Sequence, residues 1–137
     1  MPFVLDASVA ASWLLPEERH PVAEAAYQRI AHDMAVVPAI WLFELRNMLI
    51  VNERRRRIDS AHTERALQLL GSLPVETDNA IEEQTLMQLA RAGQLTIYDA
   101  AYLELSLRRD IPLATLDVRL TSAARTQNAA LIGEDAR

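Results

Sequence analysis

Short apolar runs, separated by longer stretches with helical spacing, limit the architectures open to this chain. Phe3-Val-Leu-Asp6 is a brief run that stops on an acid, as a buried parallel strand does at its carboxyl end. Ala35-Val-Val-Pro38 is a second such run and Pro74-Val-Glu-Thr77 a weaker third. Ile111-Pro-Leu-Ala-Thr-Leu116 is a fourth, with proline at its start where a strand tolerates it, and Ala130-Leu-Ile132 closes the series. Between them the spacing predicts helices over residues 8–15, 21–32, 39–56, 60–70, 78–92, 96–109 and 117–126. Ser60 is the expected N-cap of the fourth helix and Gly71 its stop, while Asp78 caps the fifth and Gly93 ends it. Strands alternating with helices in this way give a three-layer α/β/α fold, with about four to five short parallel strands between two helical layers. Ligands of such sheets sit beyond the carboxyl ends of the strands, so that edge is where chemistry is expected.

At 137 residues the chain has room for one domain, spanning 1–137, because cores built on fewer than about 250 residues rarely split. Half the residues are apolar (50%), 24% are charged and the mean hydropathy is -0.01, which suits a globule with a sizeable core. No apolar run approaches the roughly 20 residues of a membrane span. The amino terminus has no basic stretch ahead of its apolar run, so no secretory signal is expected. The absence of cysteine excludes disulfides and thiolate metal sites and fits a reducing cytoplasm.

All 14 Lys-plus-Arg positions are arginine. A chain without lysine is neither a P-loop NTPase nor a Schiff-base enzyme, and it lacks the lysine of phospho-receiver domains. The net charge of -5 argues against a coat for duplex DNA. The charge is unevenly spread, however. From Arg46 to Arg65 six arginines (46, 54, 55, 56, 57 and 65) face three acids, a local +3, and the rest of the chain carries eight against sixteen, or -8. Arg54, Arg55, Arg56 and Arg57 are candidates for gripping a phosphate backbone, or else a solvated helix end where cations complement the dipole.

Four acids sit where apolar residues are expected: Asp6, Glu44, Asp99 and Asp117. Asp6 ends the first strand and doubles as a turn or N-cap acid. Glu44 lies in Ile40-Trp-Leu-Phe-Glu-Leu-Arg-Asn-Met-Leu-Ile-Val51, a helix apolar nearly all round and so buried or at an interface. Its helical neighbours Ile40, Trp41, Asn47 and Met48 include no cation, so it needs a distant arginine, a raised pKa or a metal. Asp99 has an alternative as part of a capping arrangement with Thr96, and Asp117 as an N-cap. Together the four converge on one sheet edge, where they repel unless a divalent cation such as Mg²⁺ or Mn²⁺ holds them. Trp13, Trp41, Phe43 and Tyr102 read as core or interface, and His20, His32 and His62 receive no role.

At these residues the chain resembles the PIN-domain family, and within it the VapC-type toxin ribonucleases. The matching pieces are Val4-Leu-Asp-Ala-Ser-Val-Ala10, Val37-Pro-Ala-Ile-Trp-Leu-Phe-Glu-Leu-Arg-Asn47, Leu95-Thr-Ile-Tyr-Asp-Ala-Ala-Tyr-Leu103 and Pro112-Leu-Ala-Thr-Leu-Asp117, collinear over nearly the whole chain. The resemblance implies that Asp6, Glu44, Asp99 and Asp117 form the family's acidic quartet, holding one or two Mg²⁺ or Mn²⁺ ions. It implies supporting roles for Ser8 and Thr115 as hydroxyls and Asn47 as an amide. It further implies hydrolysis of RNA phosphodiesters, a VapB-type antitoxin partner, a homodimer, a cytoplasmic setting and no membrane. A phosphatase of the haloacid dehalogenase type needs a second Asp two residues after the first, and here that position is Ser8. A non-catalytic PIN-like module binding RNA or protein, or a housekeeping PIN nuclease, is the alternative.

Overall fold

The computed structural model describes residues 1–16 and 20–134. Its elements run β1 (Phe3–Leu5), α1 (Ala7–Leu14), α2 (Pro21–Ile30), β2 (Ala35–Val37), α3 (Ile40–Arg54), α4 (Ser60–Ser72), β3 (Val75–Thr77), α5 (Glu83–Gly93), α6 (Ile97–Arg109), β4 (Leu113–Ala114) and α7 (Val118–Thr126). The strands form one parallel sheet in the order β3-β2-β1-β4, with Phe3 opposite Ala35 and Leu5 opposite Ala114. Every residue of β1 and β2 is buried, so these strands show no alternation. That is the pattern of strands covered on both faces. β3, at the edge, is exposed over Glu76 and Thr77.

The helices complete the expected three layers. α5, α6 and α7 pack together, with α6 against β1; α1 packs on α2 and α3, and α2 touches β4. Among the described residues no helix is long and apolar enough to cross a membrane.

Several boundaries differ from the sequence-based expectation for physical reasons. The cap of α4 is Asp59, whose carboxylate accepts the His62 N–H, and Ser60 is already helical. The helix runs through Gly71 to Ser72 and ends as Leu73 turns extended ahead of Pro74, since the residue before proline avoids helical angles. α5 begins at Glu83, capped by Glu82, because Asp78 is taken by Arg108 and Arg109. β4 keeps two residues, since the Leu116 N–H leaves the sheet to donate to Ser8 Oγ. The expected closing strand is reduced to a single bridge, Leu113 with Leu131.

Candidate active site

The chain runs from β1 outward to β2 and β3 before returning to β4 on the other flank of β1. The crevice between β1 and β4 is therefore where connections diverge, the place such sheets leave open for a ligand. Asp6 follows β1 at this point, and Thr115 and Asp117 follow β4. The Asp6 N–H donates to the Ala114 carbonyl at 3.0 Å, which fixes one loop against the other.

Asp6 occupies the N-cap position of α1, but its side chain makes no capping hydrogen bond, so capping does not account for the acid. Its side chain is buried, and Oδ2 accepts the hydroxyls of Ser8 at 2.6 Å and Thr115 at 2.7 Å. Each hydroxyl in turn accepts a backbone N–H, from Leu116 to Ser8 and from Asp117 to Thr115, both at 3.0 Å. A hydroxyl that accepts an N–H is set to spend its own proton on the carboxylate. Oδ1 takes no hydrogen bond from the described residues.

Glu44 lies on the second turn of α3, half-buried, and its Oε1 accepts the Tyr102 hydroxyl at 2.6 Å. Tyr102 is fully buried, as expected of a core aromatic, but its hydroxyl serves the site. The signal for it was its place three residues after Asp99, on the same face of one helix. Asp99 itself is held by Thr96, whose Oγ1 accepts the Asp99 N–H at 3.1 Å. Asp117 caps α7, with Oδ1 accepting the Leu120 N–H at 2.8 Å. The capping roles anticipated for Thr96 and Asp117 thus coexist with membership of the cluster.

The electrostatics show that these acids sense one another. Burial pushes Asp6 up to about 6, opposed by the Ser8 and Thr115 hydroxyls and reinforced by the charges of Glu44 and Asp99. Burial also raises Glu44, with the Tyr102 hydroxyl working against it and Asp99 adding to it. Asp99 is raised by burial and by Asp117, with Thr96 opposing. No arginine or histidine contributes to any of the three. Among the described residues the cluster is therefore a patch of negative charge without a compensating cation, and no arginine there serves as the distant partner considered for Glu44.

Other candidates lie outside it. Asn47 is exposed on α3. Arg54, Arg55, Arg56 and Arg57 are exposed where α3 ends, ten residues beyond Glu44, or about 15 Å along the helix. Trp41 is buried in the core, whereas Phe43 is 67% exposed, which excludes the core and leaves the interface reading. The unassigned His20 accepts the Val22 N–H at the start of α2, and His62 Nε2 bonds the Leu14 carbonyl at 2.6 Å. Sequence reasoning also passed over Glu104, a fully buried acid on α6 that pairs with Arg108.

Hard oxygen donors without a competing cation suit Mg²⁺ or Mn²⁺. Among the described residues no group of three or more His, Cys, Asp or Glu side chains is arranged to hold an ion as it stands. The donor chemistry of Asp6, Glu44, Asp99 and Asp117 fits such an ion.

A PIN-domain family model matches residues 3–126. The chain belongs to the PIN-domain family. No curated protein sequence matches this PIN domain. Among solved structures it is similar to PAE2754 from Pyrobaculum aerophilum, with TM-score 0.70 and 22% identity over 90% of this chain and 84% of the other. It is similar to FitAcB from Neisseria gonorrhoeae, with TM-score 0.58 and 17% identity over 95% of this chain and 96% of that one. VapC20 of Mycobacterium tuberculosis, a sarcin-ricin loop cleaving toxin, gives TM-score 0.57 and 14% identity over 88% of this PIN domain and 94% of VapC20. At these identities the likeness establishes the fold.

Proposed function

We propose that this PIN domain is a Mg²⁺-dependent endoribonuclease, with Mn²⁺ able to substitute, that acts in the cytoplasm as the toxin of a type II toxin-antitoxin pair. The observation that carries the reading is the set of mutually repelling acids with no cation among them in the described residues. PIN domains are nucleases, and a toxin that cleaves RNA stands among the structural neighbours.

Asp6 and Asp99 are the direct ligands in this reading, Asp6 offering its unbonded Oδ1. Glu44 and Asp117 hold a second ion or orient the attacking water. A bound divalent ion supplies water activation and neutralises charge on the phosphate. Ser8 and Thr115 keep Asp6 in one orientation and favour its ionised form, and Tyr102 does the first of these for Glu44. Asn47, exposed on the same helix as Glu44, contacts substrate or solvent water, and Arg54 to Arg57 contact RNA phosphates. Leu42, Phe43 and Ile50 expose apolar surface on α3 and support a homodimer, while a VapB-type antitoxin masks the acids.

Cleavage of a labelled RNA by the purified chain tests the proposal. Activity is expected with Mg²⁺ or Mn²⁺, is lost in EDTA, and falls on the order of 10³-fold in Asp6→Asn, the scale of losing a preorganised charge-handling group. Undiminished cleavage in EDTA, or by a folded Asp6→Asn chain, overturns it.

A further inference from the structure

We infer that the junction of α3 and α4 is a second contact surface for single-stranded RNA, set at a fixed distance from the acid cluster and including Arg65. This rests on the nuclease reading above and adds a site and a length to it. Arg56, Arg57 and Arg65 line an open depression of about 690 Å³ together with His62 and the two acids Glu53 and Asp59. Arg54 ends α3 and Arg55 is its C-cap, next in sequence to Arg56.

Five arginines without an ion pair among the described residues are grouped here, whereas Arg46, Arg91 and Arg119, which also lack one, stand singly in the sequence. Arg29, Arg108, Arg109 and Arg125 each pair with a carboxylate. Arg54, Arg55, Arg56, Arg57 and Arg65 are all exposed and have no ion pair among the described residues, although Glu53 and Asp59 lie beside them. Those two acids are used inside the fold: Glu53 accepts the Thr63 hydroxyl at 2.6 Å, and Asp59 accepts the His62 N–H at 2.8 Å. The guanidinium groups are left to solvent or to an outside anion.

The turn that presents them is also fixed. The Arg56 and Arg57 N–H groups close α3 on the Glu53 and Asn52 carbonyls, with Arg56 in the left-handed region at φ 58°. Glycine occupies such a helix end at less cost, yet here it carries an arginine.

α3 joins the two regions as a rigid ruler. Ten residues from Glu44 to Arg54 span about 15 Å along the helix axis, a reach of several nucleotides and beyond that of a single one. Phosphates at that distance from the scissile bond meet arginines whose planar donors suit them. Single-stranded RNA is favoured over a protein partner because the patch is cationic and polar, with one apolar residue, Ile58, in its lining.

The test measures RNA binding by fluorescence anisotropy in EDTA, with oligoribonucleotides of about three and about ten nucleotides over a range of salt. The wild-type chain is expected to bind the longer one at least tenfold more tightly, with a steep salt dependence. The triple variant Arg56→Gln, Arg57→Gln, Arg65→Gln should lose that advantage, and its salt slope should fall by about two, at ~0.7 per phosphate contact. Arg91→Gln, an exposed charge on α5, controls for net charge. An unchanged slope in the triple variant overturns the inference, as does an equal loss for each charge removed in Arg91→Gln. Cleavage by the wild-type chain with Mn²⁺ is scored separately. Cleavage with no length dependence of binding removes the second surface and leaves the nuclease; length-dependent binding without cleavage does the reverse.

Discussion

Glu104 and Asp6 are the two buried carboxylates among the described residues, and they are accommodated in opposite ways. Glu104 accepts Arg108 Nε at 2.8 Å and Nη2 at 3.2 Å, a two-pronged pair within one helix. Arg108 also reaches Asp78 at 3.1 Å, and Arg109 links Asp78 to Glu76. Every charge in that region has a partner, and the Arg108 hydrogen bond holds Asp78 below the usual carboxylate range. Asp6 has two hydroxyls and the charges of Glu44 and Asp99 for company, and it is pushed up. The contrast separates an acid buried as part of the scaffold from one kept at a cost in stability. Such a cost points to a ligand that removes it.

The largest effect that tests this contrast is on stability. Arg108→Ala leaves Glu104 buried without its cation, a change that typically costs about 3–5 kcal/mol and lowers Tm by roughly 10–17 °C. Asp6→Asn in EDTA is expected to change stability in the other direction, since it removes a desolvated charge from among like charges. Thermal melts of the two variants decide the matter. A neutral Arg108→Ala, or a strongly destabilised Asp6→Asn, would mean that the regions do not differ as described.

Much of this contrast was legible in the chain, and the part that was not has a physical reason. Phe3 to Asp6 announced itself because a strand buried on both faces is a continuous apolar run, and an acid at its end interrupts that run. Asp99 and Asp117 were legible through the same local logic, as were their capping positions. Glu104 was missed although Arg108 stands four residues on, because the apolar run around it drew attention to Asp99 alone. Asp78 was misplaced as a helix cap because its partners lie 30 and 31 residues further along, beyond any local pattern. Tyr102 looked like core and is core; only the tertiary fold shows its hydroxyl on Glu44. Thr115 and Asp6 are 109 residues apart, so the resemblance implied a supporting hydroxyl at Thr115 but only the tertiary fold shows its hydrogen bond to Asp6.

The two regions should also respond to pH with opposite signs. Asp6 rises from 3.8 to about 6 on folding, so between those values the folded state holds the extra proton and stability falls as pH rises. The decline amounts to about 3 kcal/mol in all. Asp78 has a lowered folded value, so its contribution is present above the unfolded value and is lost as pH falls through the folded one. Urea midpoints in EDTA, compared between the wild-type chain and Asp6→Asn from about pH 4 to pH 7, isolate the Asp6 part. Mn²⁺ at about 100 times its Kd should restore roughly 2.7 kcal/mol above pH 6. Parallel curves for the two chains would show that Asp6 ionises as freely folded as unfolded.

The smallest expected effect concerns how the unpaired acid is held. Thr115→Val keeps the shape of the side chain and removes the hydroxyl that donates to Asp6 and accepts from the Asp117 N–H. Losing a hydrogen bond to a charged group costs about 1.5–3 kcal/mol. The Asp117 N–H adjoins a partly exposed residue and has water as a substitute, so the lower end is expected. The loss should appear above pH 6, where Asp6 is ionised, and shrink below it, because a protonated carboxyl needs the donors less. Ser8→Ala should behave alike, with the added loss of the acceptor for the Leu116 N–H. In both variants the Asp6 titration moves further upward, and the pH at which metal-supported cleavage sets in moves with it. An equal stability loss at acid and neutral pH would show that the hydroxyls tie the two loops together without tuning the charge.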